Sequence, residues 1–428
     1  MNYDVIVAGA GFSGLIAAAK AGENGKKVLL ISKGQGDVHL TSGCVDILAC
    51  VPGRENVCSV HIEKNLQLLT ERMPEHPYAK VGLATIKESI AYFRQLTKSM
   101  GYAYQGGGIK NYLLATGMGT VRPAALVPET MAEGDVREPG NVLVLGFREL
   151  IDFHPKLIAD RLNLIRSQWL KVAGKWSGKM LSLGIDTLGT VSPLKVARWL
   201  ENDGHLDEFI SVIKDIVPVN TKLGLPAILG SHYSTDIFRR IRDSLGCPVF
   251  EIPFGQPTVS GLRLYNLLLA YVKQCGVRVQ LGLPVFKVEI NTDCSAEVLV
   301  NTPGRPTGFG CRQLIIATGG LYGKGLACTA RGIKESILDL PVIDGTAASG
   351  MSTDWNFFDR TRHPYSTVGV VVDRDLRPVA VSGPVNNFTN IKVVGRSLAG
   401  YDPVIEKNGL GVALATGFAA GKAVAGGD

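Results

Sequence analysis

Three glycines near the N-terminus have the spacing of a loop that binds phosphate. Gly9, Gly11 and Gly14 form the pattern G-x-G-x-x-G within VAGAGFSG. In such a loop the first glycine permits a sharp turn, the second lets the backbone approach a pyrophosphate, and the third lets a helix pack on a strand. The amino end of that helix adds N–H groups and a partial positive charge. This spacing predicts the binding of a nucleotide-type pyrophosphate.

The surrounding elements are those that such a loop requires. YDVIVA at residues 3–8 is an apolar run that ends at the glycines, residues 12–24 have apolar side chains at helical spacing, and KVLLIS at residues 27–32 is a second apolar run. Strand, glycine turn, helix and strand within about thirty residues make a β-α-β unit. This context favours a nucleotide site over a glycine turn without a ligand.

The second strand of this unit ends in Ser32, where a dinucleotide fold commonly has an acid that binds ribose hydroxyls. A serine hydroxyl cannot accept two hydroxyl donors as a carboxylate does. Asp37 is the nearest acid, but it comes five residues after the strand, which makes it a poor substitute. The adenosine end of the ligand is therefore predicted to be held loosely or to be absent, so that a mononucleotide flavin becomes a candidate.

The next loop, GDVHLTSGCVD at residues 36–46, is rich in glycine and hydroxyl side chains. In flavoproteins with two dinucleotide-type motifs this loop wraps the flavin, and small residues let the backbone approach the redox-active ring. We expect His39, Thr41, Ser42 and Gly43 to contact the ring. An ordinary solvated turn remains the alternative for this segment.

Two later glycine motifs strengthen the flavin interpretation. ATGG at residues 317–320 ends a buried strand, and GRSLAGYDPVIEKNGLGVALATG at residues 395–417 leads into a helix of small residues whose amino end would face the flavin's pyrimidine edge. The predicted cofactor-binding residues are Gly9, Gly11, Ser13, Gly14, Ser32, Lys33, His39, Thr41, Ser42, Gly43, Thr318, Gly319, Gly395, Asp402, Gly409 and Gly411.

Candidate catalytic residues are two histidines and an arginine. His39 and His363 could each take a hydroxyl proton at neutral pH, which oxidation of an alcohol requires. Arg263, in SGLRL, could bind a phosphate or carboxylate, as could Lys324 and Arg331. The alternative for each is an ordinary surface or core residue.

Charge and cysteine content exclude several classes of protein. Lys and Arg exceed Asp and Glu by 45 to 38 without a block of like charge, which favours a small anionic substrate over nucleic acid. Eight cysteines occur without a C-x-x-C pair, so neither a metal site nor an iron–sulfur cluster is predicted, and a reducing cytoplasm is expected. The uncharged runs near residues 5–19 and 408–421 are shorter than the ~18–20 apolar residues of a membrane span.

The length of 428 residues suggests two domains. The predicted fold class is α/β, a Rossmann-like two-dinucleotide-binding flavoprotein domain with an inserted α/β cap domain. Residues 1–135 and 255–428 form the discontinuous flavin-binding domain, and residues 136–254 form the inserted substrate or cap domain. Alternation of apolar and polar residues over 276–313 predicts an antiparallel ribbon.

With these motifs in hand, nearly the whole chain resembles the B-subunit family of anaerobic glycerol-3-phosphate dehydrogenases. The segments that carry the resemblance are HLTSGCVDIL at 39–48, HPY at 76–78, GFRELIDF at 146–153, SGLRL at 260–264, GIKESILDL at 332–340, NFFD at 356–359, DLRP at 375–378 and GYDPVIEKNGLGVAL at 400–414.

The resemblance implies oxidation of sn-glycerol 3-phosphate to dihydroxyacetone phosphate in anaerobic respiration, with electrons passed toward quinone. It implies FMN, with FAD as the alternative, and two partners: a second flavin subunit and an iron–sulfur subunit that anchors the complex to the cytoplasmic face of the membrane. Two other functions stay open. The chain could be an electron-transfer subunit that binds no substrate, or a flavin oxidoreductase that acts on a dicarboxylate.

Overall fold

The computed structural model describes residues 2–51, 60–108, 110–185, 191–291, 295–329, 332–343, 363–379 and 388–426. Within these ranges the helices are α1 (Phe12–Glu23), α2 (Ile62–Arg72), α3 (Pro77–Ser99), α4 (Pro155–Ile165), α5 (Pro193–Trp199), α6 (Asp203–Lys214), α7 (Asp236–Leu245), α8 (Val259–Gln274), α9 (Pro403–Glu406) and α10 (Gly409–Gly426). The motif NFFD at 356–359 and the candidate Arg331 fall outside the described residues.

The strands are β1 (Asn2–Ala8), β2 (Val28–Ser32), β3 (Tyr104–Gly106), β4 (Tyr112–Ala115), β5 (Val121–Ala124), β6 (Leu126–Pro128), β7 (Asn141–Phe147), β8 (Trp176–Leu181), β9 (Thr221–Pro226), β10 (Val249–Ile252), β11 (Arg278–Leu281), β12 (Val285–Ile290), β13 (Ala296–Asn301), β14 (Pro306–Ile316), β15 (Leu326–Thr329), β16 (Gly332–Glu335), β17 (Val342–Ile343), β18 (Gly369–Val370) and β19 (Ile391–Val393).

The chain divides into two compact units. The first unit comprises Met1–Asp37, Asp46–Phe93 and Leu268–Asp428, and the second comprises Val38–Val45 and Arg94–Leu267. The second unit is larger than the segment 136–254 that the sequence analysis assigned to a cap. It includes residues before 136 because local contacts hold them there: β3 pairs with β6, and the Glu251 N–H donates to the Thr130 carbonyl at 2.7 Å. The functional division into a flavin domain and a substrate domain stays a prediction.

A largely parallel sheet forms the centre of the first unit. Its strand order is β11-β2-β1-β14-β13-β12, and β19 also pairs with β14. The strands β11, β2, β1, β14 and β19 run parallel to their neighbours in this group. β1 and β2 are buried almost throughout, as expected for parallel strands covered on both faces. The α/β class is therefore confirmed.

The ribbon predicted over residues 276–313 needs a correction. β12, β13 and β14 do form antiparallel pairs, but β11 pairs in parallel with β2. β11 follows α8 and lies beside β2, so its neighbour in the sheet comes from the start of the chain and not from a hairpin with the next strand. Periodicity alone does not distinguish these two kinds of pairing.

The sheet of the second unit is entirely parallel, with the order β10-β9-β7-β8. Its core is apolar and includes the fully buried Phe147, Phe153 and Phe250. The apolar run NVLVLGF forms β7. The apolar run PAILG at 226–230 is in a strand only at its first residue, because β9 ends at Pro226, which pairs with Ile252.

Helix α10 packs against α1 in the first unit through small residues. A Cβ added at Gly417 would lie 2.4 Å from the Ser13 carbonyl oxygen, and one at Gly421 would lie 2.6 Å from that of Ala17. Glycine at these positions lets the two helix backbones approach closely. This contact holds the C-terminal helix beside the glycine turn that precedes α1.

By length and composition, α10 could cross a membrane, and it is the one helix of the described residues that passes this test. The uncharged run at 408–421 was expected to be too short, but the helix continues past Lys422 to Gly426 and is 18 residues long. In the fold 61% of this stretch is buried inside the protein. Its packing against α1 is that of a core helix, since core helices pass the same test.

We expect the Gly417→Ala variant to be less stable than the wild type, because the added methyl group meets a backbone oxygen that cannot move aside. Overpacking of this kind costs about 1–3 kcal/mol. Urea unfolding followed by circular dichroism measures the loss. Gly426→Ala is the matched control at the end of the same helix, where an added Cβ meets nothing within 4 Å. Equal stability of both variants would contradict the packing described for α10.

Candidate cofactor site

Four parallel strands of the first unit end at one edge of the sheet. Gly9 follows β1, Ser32 ends β2, Thr318 follows β14, and Gly395 follows β19. Carboxyl ends of parallel strands lie together, and ligands of open α/β sheets bind at that edge. We call the loops after β1, β14 and β19 the glycine edge. The structure thus brings together the three glycine motifs that the sequence analysis identified separately.

The turn after β1 requires glycine for reasons of space and backbone conformation. Gly9 has a φ of 121°, and a Cβ there would lie 2.1 Å from the Ala317 carbonyl oxygen. A Cβ at Gly14 would lie 1.9 Å from the Gly9 carbonyl oxygen. The first and third glycines of the motif are therefore required by contacts within the protein.

Gly11 differs from the other two glycines because the space beside it is open. The nearest atom to an added Cβ would be Oδ1 of Asp37, at 3.8 Å. Gly11 is the N-cap of α1, which has no side-chain cap and no acidic residue in its first turn. Backbone N–H groups at an uncapped helix start favour a bound anion. These features fit a flavin that carries a phosphate or pyrophosphate.

The loop after β19 is bound to the start of α1 and to α10. Gly395 has a φ of 69°, and a Cβ there would lie 2.3 Å from Oγ of the buried Ser13. The Gly395 N–H donates to Oγ1 of Thr416 at 3.0 Å. Ser397 Oγ donates to the Gly319 carbonyl at 3.0 Å, which joins this loop to the loop after β14. Ser13, Gly319 and Gly395 therefore lie close together.

Thr318 has a hydroxyl group whose surroundings suggest a missing partner. Its Oγ1 is buried and has no hydrogen-bond partner among the residues that the structure describes. A buried hydroxyl normally finds a partner, because leaving it unpaired costs free energy. Its position at the glycine edge, where the cofactor is predicted, fits a role in binding the flavin.

At the end of β2, Ser32 makes a local hydrogen bond. Its hydroxyl donates to the Gly34 carbonyl at 2.7 Å, and the adjacent Lys33 is exposed. The loop then turns back at Gly36, whose φ is 73°, and brings Asp37 beside Gly11. Distance along the chain had made Asp37 a poor candidate for a ribose ligand, yet the turn returns its carboxylate to the glycine turn after β1.

Two of the three residues predicted to bind the cofactor near the start of α10 make hydrogen bonds within the protein. Asp402 is buried, and its carboxylate accepts hydrogen bonds from Val404 N–H at 3.0 Å and Ser366 Oγ at 2.6 Å. The Gly411 N–H donates to the Asp46 carbonyl at 2.9 Å. Gly409 begins α10 and remains the better placed of the two glycines to offer its N–H group to a ligand.

Most of the predicted flavin loop, Val38–Val45, lies in the second unit, where it is bound by residues that precede or begin α8. Its carbonyl groups accept hydrogen bonds: His39 from Thr258 N–H at 2.9 Å, and Ser42 from Ser260 Oγ at 2.8 Å. Gly43 is packed so closely that a Cβ would lie 2.9 Å from the Ser260 backbone. This loop is a constrained segment and not a solvated turn.

Within the same loop, side chains bond to the backbone. Thr41 Oγ1 donates to the Val38 carbonyl at 2.8 Å, and Ser42 Oγ accepts from the Cys44 N–H at 3.3 Å. His39 is half-buried, and its Nδ1 has no hydrogen-bond partner among the described residues. His39 therefore keeps a ring nitrogen for a further contact, whereas the two hydroxyls stabilise the loop.

Arg263 is fully buried in the second unit and is already paired. Its guanidinium contacts both carboxylate oxygens of Glu251, at 2.6 and 3.0 Å, and donates to the Gly230 carbonyl at 2.8 Å. Burial lowers the pKa of Arg263, but the charges and hydrogen bonds of Glu251 and Tyr102 together outweigh this effect and leave the pKa raised. This placement favours a structural role over the expected contact with a substrate phosphate.

His363 lies in the first unit, just before a 3₁₀ turn at Pro364–Thr367. It is half-buried and stacks on Tyr365 with ring centroids 5.8 Å apart. The turn is bound to the loop after β19, because Arg396 donates to the Ser366 carbonyl at 2.7 Å. A hydrogen bond with Tyr322, followed by burial, raises the pKa of Tyr365. His363 is therefore attached to the glycine edge by backbone contacts of its own segment.

A buried polar cluster near the start of α10 was not predicted from the sequence. His76, Glu406 and Asn408 are all fully buried, and His76 Nε2 lies 2.9 Å from Glu406 Oε2. Both halves occur in the segments HPY and GYDPVIEKNGLGVAL, which carried the family resemblance. Their presence in these segments was the one sequence feature that pointed to the cluster. The spacing of the residues could not show that the two segments are in contact.

Comparison with known proteins agrees with this geometry. The model of the family described as FAD binding domain matches residues 4–412. Two similar relatives are the B subunit of a probable anaerobic glycerol-3-phosphate dehydrogenase from Halobacterium salinarum, 28% identical over 99% of this chain and 98% of the relative, and the B subunit of the anaerobic glycerol-3-phosphate dehydrogenase from Yersinia enterocolitica, 28% identical over 97% and 96%.

Among solved structures, a 3-ketosteroid Δ1-dehydrogenase from Sterolibacterium denitrificans is similar over 99% of both chains, with 13% identity and a TM-score of 0.44. The family match covers most of the chain and includes the entire glycine edge.

We expect Gly11→Ala to fold but to bind flavin weakly, because its methyl group enters the open space beside the helix start. Alanine at an N-cap costs about 1 kcal/mol or less relative to glycine. The apoprotein should therefore melt close to the wild type, while the flavin dissociation constant rises at least about tenfold, or 1.4 kcal/mol. Fluorescence titration of the apoprotein measures this constant. Gly34→Ala, where an added Cβ meets nothing within 4 Å, is the control. Unchanged affinity in Gly11→Ala would refute the assignment.

Replacing Arg263 with Met should destabilise the protein, since Glu251 would keep a buried charge without its partner. Breaking a buried ion pair in this way costs about 3–5 kcal/mol. Neutralising both residues, as Arg263→Met with Glu251→Gln, should restore part of the loss. Thermal unfolding of the three proteins checks the prediction. A single variant that melts like the wild type but has lost substrate affinity would instead support the catalytic role.

Proposed function

Because the chain belongs to the FAD-binding domain family, we propose that it is a flavin-dependent dehydrogenase that oxidises sn-glycerol 3-phosphate to dihydroxyacetone phosphate. The observation that carries the proposal is the glycine edge, present in a chain whose relatives over nearly their full length are named as subunits of that dehydrogenase. The glycine edge supports binding of a flavin, and the relatives support the choice of substrate.

The reaction removes a hydride from C2 of the substrate and a proton from its hydroxyl group. When bound, the flavin supplies the acceptor for the hydride. We assign the proton to a histidine of this chain, His39 or His363. His39 is supported by its Nδ1, which has no hydrogen-bond partner among the described residues, and His363 by the attachment of its turn to the loop after β19.

For the phosphate of the substrate, Lys324 is a better candidate than Arg263. Lys324 is exposed in the loop after β14, whereas the Arg263 guanidinium is buried against Glu251. An exposed ammonium can bind a phosphate without losing an existing partner. The net charge of +7 would also raise the local concentration of an anionic substrate.

The cofactor that we propose is FAD, which the sequence analysis held as the alternative to FMN. The Ser32 hydroxyl donates to a carbonyl of its own loop. The serine at this position is therefore no longer an argument that the flavin lacks an adenosine group. Asp37 lies beside Gly11, where a carboxylate could accept ribose hydroxyls. The family match to an FAD-binding domain supports the same choice.

The chain would work as one subunit of a larger enzyme, as the names of its relatives suggest. We propose that its partners are a second flavin subunit and an iron–sulfur subunit that binds the membrane, with this chain on the cytoplasmic side. A role in electron transfer without substrate binding is the second candidate. It is favoured by the burial of Arg263, the arginine expected to hold the substrate.

Denaturation of the purified holoprotein should release FAD, because the Asp37 carboxylate and the pyrophosphate loop together suit a dinucleotide. Mass spectrometry of the released flavin gives the answer directly. Protein denatured after extensive dialysis serves as the control for loosely bound flavin. Recovery of FMN alone would contradict the assignment and restore the original inference from Ser32.

Glycerol 3-phosphate should bleach the flavin absorbance of the assembled complex under anaerobic conditions, and succinate should not. Replacing the proton acceptor should slow bleaching by about 10²–10⁴-fold, the usual contribution of general base catalysis. His39→Gln and His363→Gln, measured by stopped-flow absorbance, test the two candidates. His154→Gln is the control, because His154 is exposed in the second unit and caps no helix with its side chain.

If both histidine variants bleach at the wild-type rate, the acid–base assignment is wrong. Bleaching by succinate alone would identify a dicarboxylate oxidoreductase. A flavin that glycerol 3-phosphate reduces only when the partner subunits are present, and at a rate unaffected by changes in this chain, would support the electron-transfer role.

A further inference from the structure

His76, Glu406 and Asn408 form a buried network immediately before α10. His76 Nε2 lies 2.9 Å from Glu406 Oε2, and the Asn408 amide donates to the same oxygen at 2.7 Å. The other oxygen, Oε1, accepts the Asp402 N–H at 3.0 Å. The side chains of His76 and Glu406 have no solvent exposure. Because neither substrate nor solvent can reach them, these residues cannot take part directly in the reaction.

The hydrogen bonds define where the protons are. His76 Nδ1 accepts from the Tyr78 N–H at 3.0 Å, so that the ring proton is on Nε2 and is donated to Glu406. The donors to Glu406 include this imidazole, an amide side chain and a backbone N–H, and such a set of donors suits an ionised carboxylate. The network therefore contains a neutral histidine and a buried negative charge.

The same residues bind the first turn of α10 to a neighbouring segment. The Glu406 carbonyl accepts hydrogen bonds from Ala49 and Cys50 N–H at 3.0 and 3.1 Å. Tyr78 Oη donates to the Ile47 carbonyl at 2.7 Å, and a Cβ at Gly411 would lie 2.3 Å from the same Tyr78 Oη. Changes in the network would therefore alter the position of the start of α10.

Holding a helix in place with a buried charge costs free energy. Desolvating a carboxylate costs several kcal/mol, and neutral hydrogen-bonding side chains could make similar contacts without it. The negative charge lies three residues before Gly409, where α10 begins. The partial positive charge of a helix start stabilises negative charge nearby, and the carboxylate opposes that effect. Electrostatic interactions of this kind are stronger in a buried environment than in water.

We propose that Glu406 is a positioning residue that holds the start of α10 and lowers the electron affinity of a flavin bound there. His76 and Asn408 orient the carboxylate and keep it charged. The inference rests on the proposed function only in that flavin binds near α10. It adds a residue, outside every predicted contact, that sets how readily the cofactor is reduced.

Asp402 carries a second buried carboxylate in this region, but its oxygens cap α9 and bind Ser366. Arg396 supplies a nearby positive charge, and its guanidinium lies over the Tyr401 ring at 5.6 Å. Burial raises the pKa of Tyr401 to about 12, so that this phenol adds no charge at neutral pH. The Glu406 carboxylate accepts no N–H from the first turn of α9, and its charge can therefore be removed while the cap provided by Asp402 remains.

The experiment measures the midpoint potential of the bound flavin by equilibrium titration against redox dyes. Glu406→Gln removes the charge and retains one of the two acceptor oxygens, and we expect its potential to shift to a more positive value. Glu289→Gln is the control, because Glu289 is exposed and pairs with Lys287 at the surface. An unchanged potential in folded, flavin-loaded Glu406→Gln would overturn the proposal and leave the network a structural one.

A second pair of variants covers the case in which Glu406→Gln does not fold. His76→Ala removes one donor to Glu406, whereas His76→Gln can accept from Tyr78 N–H and donate to Glu406. We expect a displaced potential in His76→Ala and recovery of the wild-type value in His76→Gln. Equal potentials in both variants and the wild type would overturn the proposal.

These results are separable from the fate of the proposed function. If the bound flavin has the expected shifts in potential but is not reduced by glycerol 3-phosphate, the substrate assignment fails and the role of Glu406 stands. If glycerol 3-phosphate reduces the flavin but the variants have the wild-type potential, the substrate assignment stands and the role of Glu406 fails.

Discussion

The parallel register of β1 and β14 places Ala8 beside Ile316, and the geometry of the glycine edge depends on that pairing. The Ala317 N–H donates to the Ala8 carbonyl at 2.8 Å, which extends the pairing one residue beyond β14. Gly9 must then turn directly against Ala317, where a side chain does not fit. The same pairing brings the loop after β14 to the amino end of α1. The cofactor site that we propose at this edge is thus a consequence of how two strands align.

A second constraint is the close approach of α1 and α10, which come from opposite ends of the chain. Gly417 and Gly421 allow their backbones to meet, and Thr416 in the same helix accepts a hydrogen bond from the loop after β19. The small residues of α10 therefore serve packing, although their composition also resembles that of a membrane span. Burial against α1 gives the physical reason for the composition.

Each compact unit also has a buried polar pair that fixes the backbone around it. In the second unit, Arg263 and Glu251 bind the Gly230 carbonyl and the Leu229 N–H. In the first, His76 and Glu406 bind the segment before α10. Both pairs are fully buried, and both residue types would suggest catalysis if read from the sequence alone. Solvent exposure distinguishes a group that can meet substrate from one that acts through its neighbours.

The sequence by itself determined the β-α-β unit, the fold class, the predicted flavin and the family, because these depend on glycine spacing and periodicity over short stretches. It also located ATGG and the start of α10, although not their contacts. Only the tertiary structure decided the roles of individual polar side chains. Asp37 returns to Gly11 through one turn at Gly36, while His76 and Glu406 meet across 330 residues of chain. Such contacts arise from packing and burial, and neither leaves a periodic signal in the order of the residues.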